Sequence, residues 1–66
     1  MTISVNGQAR AVAEGATLGD LIAELGIRRE GIAVARNDDV VPRSRLDATP
    51  LRAGDAIEII AAVAGG

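Results

Sequence analysis

The 66-residue chain contains no cysteine, no histidine, no lysine and no phenylalanine, tyrosine or tryptophan. Without cysteine or histidine there is no zinc finger, iron–sulfur ligation, disulfide framework or thiol nucleophile. The missing histidine also removes the commonest general base and the commonest physiological pH switch. Without lysine there is no side-chain amine through which one copy could be joined to another by an isopeptide bond. Without aromatic residues the core must be aliphatic, and at this length it is small. A domain of about 60 residues buries only about 60% of the surface that its unfolded chain exposes. A single domain is expected.

Hydrophobic residues make up 48% of the chain and charged residues 24%, which are ordinary globular values. Ile, Val and Leu supply 18 of the 66 residues, enough for a packed core. The seven cations are all arginine and face nine acids, giving a net charge of −2 and a pI of about 4.8. A mildly acidic chain is poorly suited to nucleic-acid phosphates, which need clustered cations. The start MTISVNGQAR has no basic segment leading into an apolar run. No stretch approaches 18 consecutive apolar residues. A cytoplasmic protein without a membrane span is expected.

Along the chain, Thr2 to Asn6 alternates, with Ile3 and Val5 on one side, as in a half-buried strand. Asn6-Gly7 is a strong signal for a type I′ hairpin turn, and Gln8 to Ala13 reads as the returning strand. Thr17-Leu18-Gly19-Asp20 has the form of an N-cap with an acid at the third helical position. Leu18, Leu21, Ile22 and Leu25 then form one apolar stripe, predicting a helix of about two and a half turns. Gly26 stands where a left-handed residue ends a helix, with Ile27 turned back on Ile22. Gly31 to Arg36 alternates again and Asn37-Asp38-Asp39 turns. Val40-Val41 is a short strand that Pro42 confines to an edge. Arg43 to Asp55 reads as irregular, with Leu46 and Leu51 plugging the core. Ala56 to Val63 is the last strand, rich in β-branched residues.

This order gives a mixed sheet of four to five strands with one helix on one face. First and last strands lie parallel at the centre, an α+β arrangement of the β-grasp, or ubiquitin-like, type. The domain is expected over residues 1–63, with 64–66 as a flexible tail. If Ile57, Ile59 and Val63 face the helix, then Glu58, Ile60 and Ala62 face away, together with Ser4, Ala33 and Ala35. That leaves a low apolar patch suited to partner docking.

Catalytic chemistry is scarce. The hydroxyls of Ser4, Ser44, Thr2, Thr17 and Thr49 have no base beside them. Asp38-Asp39 has the composition of a solvated turn. No metal-ligand spacing or glycine-rich phosphate loop is present. Catalysis by this chain alone is not expected, and neither is a bound cofactor. The ending Ala64-Gly65-Gly66 stands out because two residues without Cβ make the slimmest of tails. Such a tail could enter a narrow channel and present the carboxylate of Gly66, ionised at neutral pH, to another protein's active site.

The stretches Ile3-Ser4-Val5-Asn6-Gly7, Thr17-Leu18-Gly19-Asp20-Leu21-Ile22 and Ala35-Arg36-Asn37 resemble the ThiS family of sulfur carriers in thiamin biosynthesis. So do Val40-Val41-Pro42-Arg43, Gly54-Asp55-Ala56-Ile57-Glu58-Ile59 and Val63-Ala64-Gly65-Gly66. The resemblance implies that an E1-like, ThiF-like adenylyltransferase uses ATP and Mg²⁺ to adenylate Gly66. A sulfur donor protein would then convert the adenylate to a thiocarboxylate. A ThiG-like thiazole synthase would consume that sulfur. In this picture Gly66 carries the reacting group, Ala64 and Gly65 thread the partner's site, and Glu58, Ile60 and Ala62 dock. Other readings are a carrier like the small subunit of molybdopterin synthase, a ubiquitin-like modifier of other proteins, and an interaction module with an idle tail.

Overall fold

Thr2–Val5 (β1) and Gln8–Ala11 (β2) form an antiparallel hairpin in which Ser4 lies opposite Ala9. Asn6 and Gly7 turn it with φ values of 50° and 84°, the two left-handed residues a type I′ turn requires. Val12, just past β2, donates to the Met1 carbonyl at 2.8 Å and enters the core. The computed structural model describes residues 1–61.

The helix α1 spans Leu18–Glu24. Its capping box closes as the sequence predicts: the Asp20 N–H donates to Thr17 Oγ1 at 3.1 Å, and the Thr17 N–H donates to Asp20 Oδ2 at 2.9 Å. Gly26, at φ 73°, ends it. The N–H groups of Gly26 and Ile27 donate back to the carbonyls of Ala23 and Ile22, the double bond of a Schellman end. The helix is about two turns, shorter than predicted, because Leu25 is already its C-cap. Leu18, Leu21 and Ile22 are fully buried, whereas Leu25 is only partly covered at the edge of the core.

Ile32–Arg36 (β3) and Asp39–Val41 (β4) form the second hairpin. Its turn consists of Asn37 and Asp38 alone, both with positive φ. Asp39, placed in the turn by the sequence reading, instead pairs with Arg36. The segment expected to be irregular contains a 3₁₀ helix over Arg43–Ala48. It starts from Pro42, whose carbonyl accepts from the Arg45 N–H at 2.8 Å. Leu46 is the only one of its residues that is buried, so no periodicity announced it. Leu46 and Leu51 both plug the core, at 1% and 4% exposed.

Ala56–Ala61 (β5) completes a five-stranded sheet in the order β2-β1-β5-β3-β4. β5 is central, parallel to β1 and antiparallel to β3, and β4 is an edge, as Pro42 required. Ile3, Val34 and Ile57 project from the sheet onto the helix core, and every apolar member of that core is aliphatic. Among the described residues no helix is long and apolar enough to cross a membrane.

Candidate functional site

β5 is the strand that precedes Ala64-Gly65-Gly66 in the sequence, and two asparagines grip it from opposite flanks. At its start, the Asn37 N–H donates to the Ala56 carbonyl at 2.8 Å. Asn37 Oδ1 accepts from the Ala56 N–H at 2.9 Å. Asn37 Nδ2 also donates to Asp55 Oδ1 at 3.0 Å, while Asp55 Oδ2 accepts from the Arg52 N–H at 2.8 Å. Asp55 is the buried acid among the described residues, 7% exposed, and these bonds explain how its carboxylate is accommodated there.

Further along β5, the Asn6 N–H donates to the Ile57 carbonyl at 2.8 Å. The Asn6 side chain then spans Ile59: Oδ1 accepts from its N–H at 2.8 Å and Nδ2 donates to its carbonyl at 3.2 Å. Both asparagines stand at the first turn position of a hairpin with φ 50°, a conformation that Asn tolerates better than most residues. From the sequence, Asn6 and Asn37 are turn formers. Their bonds to β5 depend on strands distant in sequence, so no local pattern foretold them.

The face of the sheet away from the helix has the predicted parity. Ile60 lies opposite Ala33 and Glu58 opposite Ala35. Ile60 is 62% exposed, and Ser4 shares the face through its pairing with Ala56. The register adds two residues that sequence reasoning missed. Val40, opposite Ala35 on β4, is 75% exposed, and Ala9 lies opposite Ser4 on β2. The adjacent apolar pair Val40-Val41 gave no alternation from which to choose the outward member. Apart from Glu58 the centre of this face is uncharged, with Ile60 standing exposed among the small residues Ser4, Ala33, Ala35 and Ala56, a surface that another protein can cover. Ala62, Ala64, Gly65 and Gly66 lie outside the described residues.

On the helix side, a groove of about 560 Å³ opens between the first hairpin, the end of α1 and β5, with Val5, Leu25, Ile27, Ile59 and Ala61 in its lining. Arg10 and Glu24 form an ion pair of 2.9 Å beside it. Among the described residues no group of acids is arranged to hold a metal ion.

The fold is that of a solved thiamine biosynthesis protein, ThiS from Geobacter metallireducens. That crystal structure superposes with a TM-score of 0.86 at 33% identity, covering 100% of both chains. A family model described as the ThiS family matches residues 3–66, and the chain belongs to the ThiS family. It is 36% identical to the Sulfur carrier protein ThiS of Thermus thermophilus over 62 residues, covering 94% of this chain and 95% of that protein. It is 35% identical over its whole length to a Thiazole synthase of Paramagnetospirillum magneticum, of which it spans only 20%. A ThiS-like stretch therefore occurs within proteins of that name.

Proposed function

We propose that this chain carries sulfur on the carboxyl group of Gly66 for thiazole formation in thiamin biosynthesis. The sulfur-carrier class rests on membership of the ThiS family. The observation that carries the assignment to Gly66 is the position of β5, which is central in the sheet, held on both flanks and followed in the sequence by Ala64-Gly65-Gly66.

In this reading the chain is a protein co-substrate in the cytoplasm, and the catalytic groups belong to its partners. A carboxylate oxygen of Gly66 attacks the α-phosphorus of ATP, held with Mg²⁺ by an E1-like adenylyltransferase, and pyrophosphate leaves. A sulfide-level nucleophile from a donor protein displaces AMP and leaves a thiocarboxylate. That sulfur then passes to a thiazole synthase. Ala64 and Gly65 thread the adenylating site, where the absence of a Cβ at Gly65 matters. Glu58, Ile60 and Ala62 contribute to docking.

The test is intact mass after incubation with the adenylating enzyme, ATP and a sulfur source. The parent gains the mass difference between sulfur and oxygen, localised to Gly66. Deletion of Gly66 withdraws the carboxylate by about 3.5 Å and abolishes the gain. Gly65→Val does the same, because a branched side chain obstructs the channel. A deletion variant that acquires sulfur at the parent's rate refutes the assignment and leaves an interaction module.

A further inference from the structure

We propose that Asn6 is a positioning residue that fixes where the tail-bearing strand leaves the sheet, and thereby sets the delivery of Gly66 to the adenylating site. This inference rests on the carrier reading above. In a β-strand the N–H and C=O of one residue point to the same flank. Those of Ile59 point toward β1 and away from β3, and Asn6 takes up both.

The main chain of β1 cannot take them up. Asn6, at φ 50°, already turns away into the hairpin, and the last main-chain bond on this flank is from the Asn6 N–H to the Ile57 carbonyl. A primary carboxamide reproduces the donor and acceptor of a peptide group. The Asn6 side chain therefore continues the ladder two residues further along β5, in the direction of the tail. On the other flank β3 pairs as far as Ala61 opposite Ile32. β5 is thus held on both sides almost to Ala61, the last of its residues.

Asn37 provides an internal comparison. It grips β5 by the same chemistry, but at Ala56, the end remote from the tail. Loss of either asparagine removes hydrogen bonds to β5, and only loss of Asn6 frees the end that delivers the carboxylate.

The experiment compares the parent with Asn6→Gly and Asn37→Gly, both of which retain the positive φ of their turns. In Asn6→Gly the Ile59 amide should exchange with solvent at least about tenfold faster, while in Asn37→Gly it should keep its protection relative to global unfolding. In adenylate formation by the ATP-dependent partner, Asn6→Gly should lower kcat by about ten- to a hundredfold, the scale of a misplacement near 1 Å. Its KM should stay within about twofold, because Glu58 and Ile60, the proposed docking residues, are unchanged. Asn37→Gly should keep kcat within about twofold. Asn6→Asp retains the acceptor for the Ile59 N–H and should fall between parent and glycine variant, and it serves if the glycine variant does not fold. An unchanged kcat, a change confined to KM, or equal loss of kcat in both glycine variants overturns the proposal. A parent that is never adenylated overturns the carrier reading and the positioning role together, and Ile59 exchange still reports separately on the clamp.

Discussion

Gly19 sits inside α1, where helix propensity alone argues for replacement. Glycine in a helix interior costs about 1 kcal/mol relative to alanine, and in a domain this small 1 kcal/mol corresponds to roughly 4–8 °C in Tm. The structure supplies a reason for the glycine. The guanidinium of Arg29 donates two hydrogen bonds to the carboxylate of Asp47, at 2.8 and 2.7 Å, joining the segment after the helix to the 3₁₀ helix. The pair crosses directly over Gly19. A Cβ there would overlap the Asp47 carboxylate and lie 2.7 Å from Arg29 Nη2. Asp47 is the end of an exposed side chain and can swing away, so Gly19→Ala should fold, but at the expense of the ion pair. The propensity gain and the lost pair then oppose each other.

A double-mutant cycle isolates this conflict. In an Asp47→Ala background, Gly19→Ala should recover the propensity gain available in the first turn of the helix, at most about 1 kcal/mol. In the parent background the gain should be clearly smaller or reversed. With no tyrosine or tryptophan in the chain, the four proteins are best followed by far-UV circular dichroism during urea and thermal unfolding. Independent sites add to within about 0.3–0.5 kcal/mol. Additivity within that limit would show that the Arg29–Asp47 pair does not determine the glycine.

The same pair predicts a pH effect: hydrogen bonding from Arg29 holds the Asp47 carboxyl below its ordinary value of 3.8. The stability advantage of the parent over Asp47→Asn should therefore be complete above that value and disappear as pH falls through the lower folded-state pKa, as measured by urea midpoints across an acid series. Leu21→Ala removes a side chain that is 1% exposed and should cost about 2–5 kcal/mol, enough to unfold much of so small a domain. An unchanged melting curve would contradict the core assignment. Ile60→Asp places a charge on the outer face and should leave the melting curve intact while weakening binding to the adenylating enzyme. Equal affinity in titration calorimetry would remove Ile60 from the interface.

The parts of the fold legible in the sequence were those fixed by local chemistry. Asn6-Gly7 announced its turn because few residue pairs accept two positive φ values, and Thr17 with Asp20 announced the helix start because each satisfies a main-chain group of the other. Strand alternation gave the face of Ile60 correctly, since parity needs no knowledge of the neighbouring strand. The 3₁₀ helix over Arg43–Ala48 was not legible, because one buried leucine in six residues carries no period. Val40 was missed for a related reason: its outward direction is set by pairing with β3 and not by its own short segment.

The asparagine clamps are the plainest case of information that only the tertiary structure holds. In sequence, Asn6 and Asn37 are two similar turn residues 31 positions apart. In the fold they lie on opposite flanks of one strand and bond it at its first residue, Ala56, and at Ile59, two residues before its last. A sulfur carrier whose partners supply the catalytic groups, as proposed above, affects the reaction chiefly through where it holds its carboxylate and through how tightly it docks. In the reading proposed above, the outer face serves the second and β5 the first. Each hairpin turn thus does more than reverse the chain: its positive-φ asparagine turns the main chain aside and uses the freed carboxamide to hold the strand that leads to the tail.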